Sequence, residues 1–122
     1  MSTPIVDKVL RAKQKGWQRR YPRFRANFPL VATAFREDGY EALQGRCSDI
    51  GRGGMGVVLT PPAHESEVLS LEFTLPNHTA PLTVRAIVRY RTGFSHGLEF
   101  LGVTAEQQSI IEEFCATLEI TD

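Results

Sequence analysis

Between Asn27 and Gly102 the hydrophobic spacing is that of strands, and the segments are short and divided by turn residues rather than by helices. Residues 28–35 run into Glu37-Asp38-Gly39, a hairpin turn, with residues 40–47 as the expected partner strand. Residues 55–59, 68–75, 82–90 and 95–101 follow, bounded by Pro61-Pro62, Pro76-Asn77 and Thr92-Gly93. In residues 68–75 the alternation puts Leu69, Leu71, Phe73 and Leu75 on one face. Six short strands with no long helix between them cannot be covered as an open parallel sheet would be. They predict a closed antiparallel β-barrel, in which no strand edge is left to pair with another chain.

Helical signals flank this region. Thr3 is a suitable cap, Pro4 suits the first helical position, Ile5, Val6, Val9 and Leu10 form one apolar stripe, and Gly16 ends the run. Lys13 and Lys15 fall in the last turn, where the helix dipole favours cations. After the strands, Thr104-Ala105-Glu106-Gln107 is a capping-box pattern, and Ile110, Ile111, Phe114 and Leu118 recur at helical spacing. That second stripe is expected to close the open end of the barrel, with contact to another subunit as the alternative. The expected organisation is a helix over 1–18, an arginine-rich switch linker over 19–26, and a barrel with its C-terminal helix over 27–122. A chain of 122 residues suits one such domain.

The formal net charge of zero hides an asymmetry. Residues 1–25 carry eight Lys/Arg against Asp7 alone, a net +7, and residues 26–122 carry six against thirteen Asp/Glu, a net −7. An acidic body would repel the phosphate chain that the basic arm attracts, so no nucleic-acid partner is expected; a small, compact anion held at the junction fits better. Cys47 and Cys115 match no metal-ligand spacing and are expected to be buried or half-buried free thiols, and His64 and His78 beside turn residues read as surface histidines. Cys47-Ser48-Asp49 has no placed base with an orienting partner, so no enzyme and no cofactor are expected. No apolar run approaches the roughly 20 residues of a membrane span, and no signal segment is apparent, so the expected location is the cytoplasm.

Two stretches carry binding chemistry. Arg19-Arg20-Tyr21-Pro22-Arg23-Phe24-Arg25 places four guanidinium groups in seven residues, and Asp49-Ile50-Gly51-Arg52-Gly53-Gly54 follows. A guanidinium fork grips phosphate oxygens or the O6/N7 edge of guanine, while a carboxylate accepts from guanine N1–H and N2–H. Pro22 biases its neighbour away from helix, so the arginines are expected on an extended, adaptable segment. Gly51-Arg52-Gly53-Gly54-Met55-Gly56 also matches a dinucleotide-binding glycine pattern, but that motif needs a helix to begin there, and Val57-Val58-Leu59 with Pro61-Pro62 behind it reads as a strand. The glycines instead suit a sharp connection whose backbone approaches a ligand closely.

These residues resemble the PilZ domain, a small bacterial β-barrel that is a receptor for the second messenger cyclic di-GMP. The family signature is RxxxR ahead of the first barrel strand and D/NxSxxG on the barrel. Arg19 and Arg23, with Arg20 as an additional arginine, are similar to the first motif, and Asp49 to Gly54 to the second; His96-Gly97-Leu98-Glu99-Phe100 is similar to the closing strand. The resemblance covers roughly residues 19–118. It implies that Arg19 and Arg23 clamp phosphate and the guanine Hoogsteen edge, that Arg20 adds charge or stacks on a base, that Asp49 accepts from the Watson–Crick edge, and that Gly53 and Gly54 bring backbone close to the ligand.

The resemblance departs at one position: the motif serine is Gly51 here. A lost hydrogen bond of about 0.5–1.5 kcal/mol corresponds to an affinity up to about tenfold weaker, and Gly51→Ser is expected to tighten binding unless the glycine is needed at positive φ. Simple alternation puts Arg89 and Arg91 on one face with Tyr90 on the other, and Arg91 is the candidate to pack on the ligand, against the alternative of two solvated surface charges. The implied mechanism is a switch: ligand orders the arginine segment, the N-terminal helix moves against the barrel, and an unidentified protein effector reads the change. The alternatives are a PilZ-like interaction module that has lost the nucleotide, and a single-strand binder using Trp17, Tyr21 and Phe24.

Overall fold

The computed structural model describes residues 21–118, and the expected N-terminal helix, with Arg19 and Arg20, lies outside the described residues. Six strands, β1 (Arg23–Arg36), β2 (Gly39–Gly51), β3 (Gly54–Thr60), β4 (Val68–Phe73), β5 (Leu82–Thr92) and β6 (Ser95–Leu101), are followed by one helix, α1 (Ala105–Cys115). They form a closed barrel in the order β1-β2-β3-β6-β5-β4, with β4 also paired to β1 and every pairing antiparallel.

Alternation builds the interior. Phe28, Leu30, Ala32 and Ala34 of β1 point inward with Leu69, Leu71 and Phe73 of β4 and Leu82, Val84, Ala86 and Val88 of β5. Thr104 caps α1: its Oγ accepts from Gln107 N at 3.1 Å, and its own N–H donates to Gln107 Oε1 at 3.1 Å, completing the capping box. The helix stripe covers the barrel, since Ile111 and Phe114 are buried and the Phe114 ring meets Phe28 edge-on at 6.0 Å.

The strands differ in extent from their apolar runs. β1 opens at Arg23, taking in residues 23–26 of the expected linker, because Pro22 leaves the chain extended and Arg23 pairs with Gly51, Phe24 with Ile50 and Arg25 with Asp49. β4 stops at Phe73, since Leu75 already accepts from His78 N at 2.9 Å in the following turn.

Candidate ligand-binding site

Three register shifts decide which side chains face outward from the motif strands. Along β2, Cys47 pairs with Val57 and both are buried; Ser48 is then an extra residue, so Asp49 pairs with Gly56 and Ile50 with Met55. An unbroken alternation would turn Asp49 into the apolar interior and Ile50 out. The bulge reverses this. A matching irregularity between Arg25 and Phe28 keeps β1 in step, which leaves Arg25 directly opposite Asp49. In β5, Arg89 is the extra residue: Val88 pairs with the buried Leu98, and Tyr90 then pairs with Gly97.

The pairings therefore join into one transverse row, Arg25, Asp49, Gly56, Gly97, Tyr90, running across β1, β2, β3, β6 and β5. Both central positions are glycines for a steric reason. A Cβ on Gly56 would lie 2.7 Å from Asp49 Oδ2, and one on Gly97 would lie 2.1 Å from the Tyr90 ring. The carboxylate thus lies over one glycine and the phenol ring over the other. With strands about 4.8 Å apart, the side chains close a shelf whose ends are about 14 Å apart at the backbone.

Arg23 anchors the Asp49 end. It is 3% exposed, and its Nη1 donates to Asp49 Oδ1 at 2.8 Å while Nη2 donates to Leu98 O at 3.4 Å. Gly56 N donates to the same Oδ1 at 3.0 Å. A carboxylate offers about four acceptor positions, and these bonds orient it rather than exhaust it. The adaptable segment inferred from Pro22 therefore ends before Arg23, whose guanidinium is fixed by a buried charge-assisted pair.

Gly51, Gly53 and Gly54 stand at the same end for different reasons. A Cβ on Gly51 would lie 2.4 Å from Pro22 O, and one on Gly54 2.0 Å from Leu98 O, so both allow backbone to press on backbone. This contact opposes the gain expected from Gly51→Ser, because a new side chain would press on the Pro22 carbonyl. The glycine is required by crowding, not by positive φ, as neither residue has one. Gly53 lies under the Tyr21 ring.

Arg91 is set apart from this group. The bulge at Arg89 breaks the alternation that would place Arg89 and Arg91 together: Arg89 pairs with Glu99 at 2.6 Å, Tyr90 joins the row, and Arg91 pairs with His96. Arg91 Nε donates to Gly93 O at 2.8 Å and Nη1 to Ala63 O at 3.3 Å. The buried His96 takes the other side of the same residue, Nε2 accepting from Ala63 N at 3.0 Å and Nδ1 lying 2.8 Å from Phe94 O, an arrangement that suits the neutral ring. Burial lowers its pKa further. Tyr90 and Arg25 were not singled out by motif spacing; only the strand register places them.

The two thiols lie beneath the site and are unreactive by environment. Burial, reinforced by Asp49, pushes Cys47 far up, and burial raises Cys115 to about 11.

The PilZ domain model matches residues 18–117. Among curated proteins none matches. Solved structures show the same fold. Bacillus subtilis inhibitor of motility, MotI/DgrA, aligns with a TM-score of 0.69 and 24% identity over 83% of this chain, which spans 51% of that one. The PilZ domain of YcgR from Escherichia coli, solved with c-di-GMP, aligns with a TM-score of 0.65 and 18% identity, covering 84% of this chain and 92% of that one. The PilZ domain of CeSA from a cellulose-synthesizing bacterium gives 0.61 and 16%, over 78% and 95%.

Proposed function

As the chain belongs to the PilZ domain family, a family of receptors rather than enzymes, we propose that it is a receptor for cyclic di-GMP. The observation that carries this reading is the row itself: a carboxylate held open to guanine by Arg23 and Gly56 N, two glycines beside it, and an aromatic ring at the far end. A guanine would lie on the shelf with N1–H and N2–H on Asp49, and Tyr90 would offer its face or edge to a base. Arg25 joins Arg19 and Arg20 as a phosphate cation, and Gly53 brings backbone to the ligand. Arg23 serves chiefly by fixing Asp49, while Arg91 steadies the Ala63 connection. Signalling to a protein effector follows from ordering of the arginine segment, in the cytoplasm where such a messenger is encountered.

The second reading, a PilZ module without nucleotide, has one specific observation in its favour: the place of the motif serine is filled by the Pro22 carbonyl against Gly51. Calorimetric titration with cyclic di-GMP, beside GTP and a short oligonucleotide, separates the readings. Saturable heat with cyclic di-GMP alone is expected; no heat at high micromolar ligand would leave the interaction module standing.

A further inference from the structure

Arg52 occupies the connection between β2 and β3 and has three neighbours, one before the barrel and two on α1. Its guanidinium lies 4.9 Å from the centroid of the Tyr21 ring, which itself packs on Gly53. Its Nε is 3.0 Å from Glu112 Oε2 on α1. Gln108, one turn earlier on the helix, sets its amide against the same guanidinium, and the hydrogen-bonding pattern assigns the oxygen to the side facing Nη2, at 2.9 Å. One cation thus ties the end of the arginine segment, the motif turn and the helix that closes the barrel.

The tie is built to be exchanged. The Arg52 and Glu112 side chains are 49% and 48% exposed, and ion pairs of that kind contribute little once solvent screening and side-chain ordering are counted. The Tyr21 ring gives the guanidinium a planar support that does not depend on Glu112. A phosphodiester arriving at the arginine segment offers a second anion to the same fork, and bonds from arginine to phosphate are charge-assisted and directional. Arg25 and Arg23, by contrast, are placed by strand pairing with Asp49 and Gly51.

We infer that Arg52 is a ligand residue held in reserve: Glu112 holds its guanidinium in the free protein, a ligand phosphate takes it in the complex, and the Gln108–Glu112 edge of α1 is thereby released. The inference rests on the receptor reading above. It makes Glu112 a competitor of the ligand, so by linkage a change at Glu112 that weakens the pair while leaving Arg52 in place strengthens ligand binding, and bound ligand weakens the pair by the same factor.

The test is calorimetric titration of four full-length proteins with cyclic di-GMP: wild type, Glu112→Gln, Arg52→Ala and the double variant. Glu112→Gln is expected to tighten binding about two- to fivefold, the range of an exposed pair, and Arg52→Ala to weaken it up to about tenfold. In the Arg52→Ala background Glu112→Gln is expected to change nothing. Equal tightening in both backgrounds would mean that Glu112 acts only through its field on an anionic ligand. No tightening, or a loss, would mean that Arg52 bridges both anions or serves the fold alone. Either result overturns the exchange while leaving the receptor intact, whereas a wild type that binds nothing overturns both.

Discussion

Arg23 and Arg91 are both strand arginines whose guanidinium groups reach backbone carbonyls, and their surroundings differ in every other respect. Arg23 is 3% exposed, bound to Asp49 and Leu98, and flanked by Gly51 and Gly54, where backbone approaches so closely that a Cβ would collide. Arg91 is exposed and bound to Gly93 and Ala63; a Cβ added at Gly93 would meet nothing within 4 Å, and that position is glycine because its φ is +62°. The first arginine is part of a packed unit in which charge, strand crossing and motif glycines depend on one another. The second secures a connection at the surface through two backbone carbonyls. Position on a strand does not separate the two; the packing around each does.

The sharpest way to break this comparison is to fill a glycine. Gly54→Ala pushes a methyl into Leu98 O and is expected to cost about 3 kcal/mol or prevent folding, whereas Gly93→Ala costs about 1 kcal/mol from its left-handed backbone, both read by chemical denaturation. Next comes the carboxylate. Asp49→Ala removes a carboxylate from the buried Arg23 guanidinium and is expected to cost about 2 kcal/mol, reduced from the fully buried case because Asp49 is 22% exposed, while Arg91→Ala is expected to cost under about 1 kcal/mol. Equal costs for these two would remove the distinction drawn here.

Gly51→Ser is expected to lower stability by about 1–2 kcal/mol and to weaken cyclic di-GMP binding, since the new side chain must displace Pro22. Tighter binding would show that this end of β1 has slack after all. The smallest effect concerns the opposite side. His96 has a folded pKa lowered by burial from an ordinary value of 6.5, so its neutral form is stabilising. That contribution is complete above about pH 6.5 and is lost as pH falls below it, where the unfolded chain takes up the proton first. Melting measured between pH 7.5 and 5 is expected to show a shallower decline for His96→Gln than for wild type.

Much of this architecture could be read from residue patterns, because the physics that builds it is local. Leu69, Leu71 and Phe73 alternate and are buried, Thr104 and Gln107 cap as their spacing implies, and Ile111 and Phe114 close the barrel. What could not be read depends on register. Nothing in the composition of Ser48 or Arg89 marks either as an inserted residue, yet those two bulges turn Asp49 and Tyr90 outward and carry Arg91 to the Ala63 side. Arg23 and Arg25 fall in the expected extended linker, and pairing across to Gly51 and Asp49 makes them the start of β1. The reason for Gly51 likewise lies 29 positions away in the chain, at Pro22.

The central claim is that ligand occupies the row from Asp49 to Tyr90 and not the side held by Arg91. Two-dimensional amide NMR of the uniformly 15N-labelled protein, titrated with cyclic di-GMP, addresses it residue by residue. The largest shifts are expected at Gly53, Gly56, Gly97 and Tyr90, with Ala63 and Gly93 nearly unmoved. Shifts concentrated at Ala63, Gly93 and Arg91, with Gly56 and Gly97 unchanged, would contradict the account.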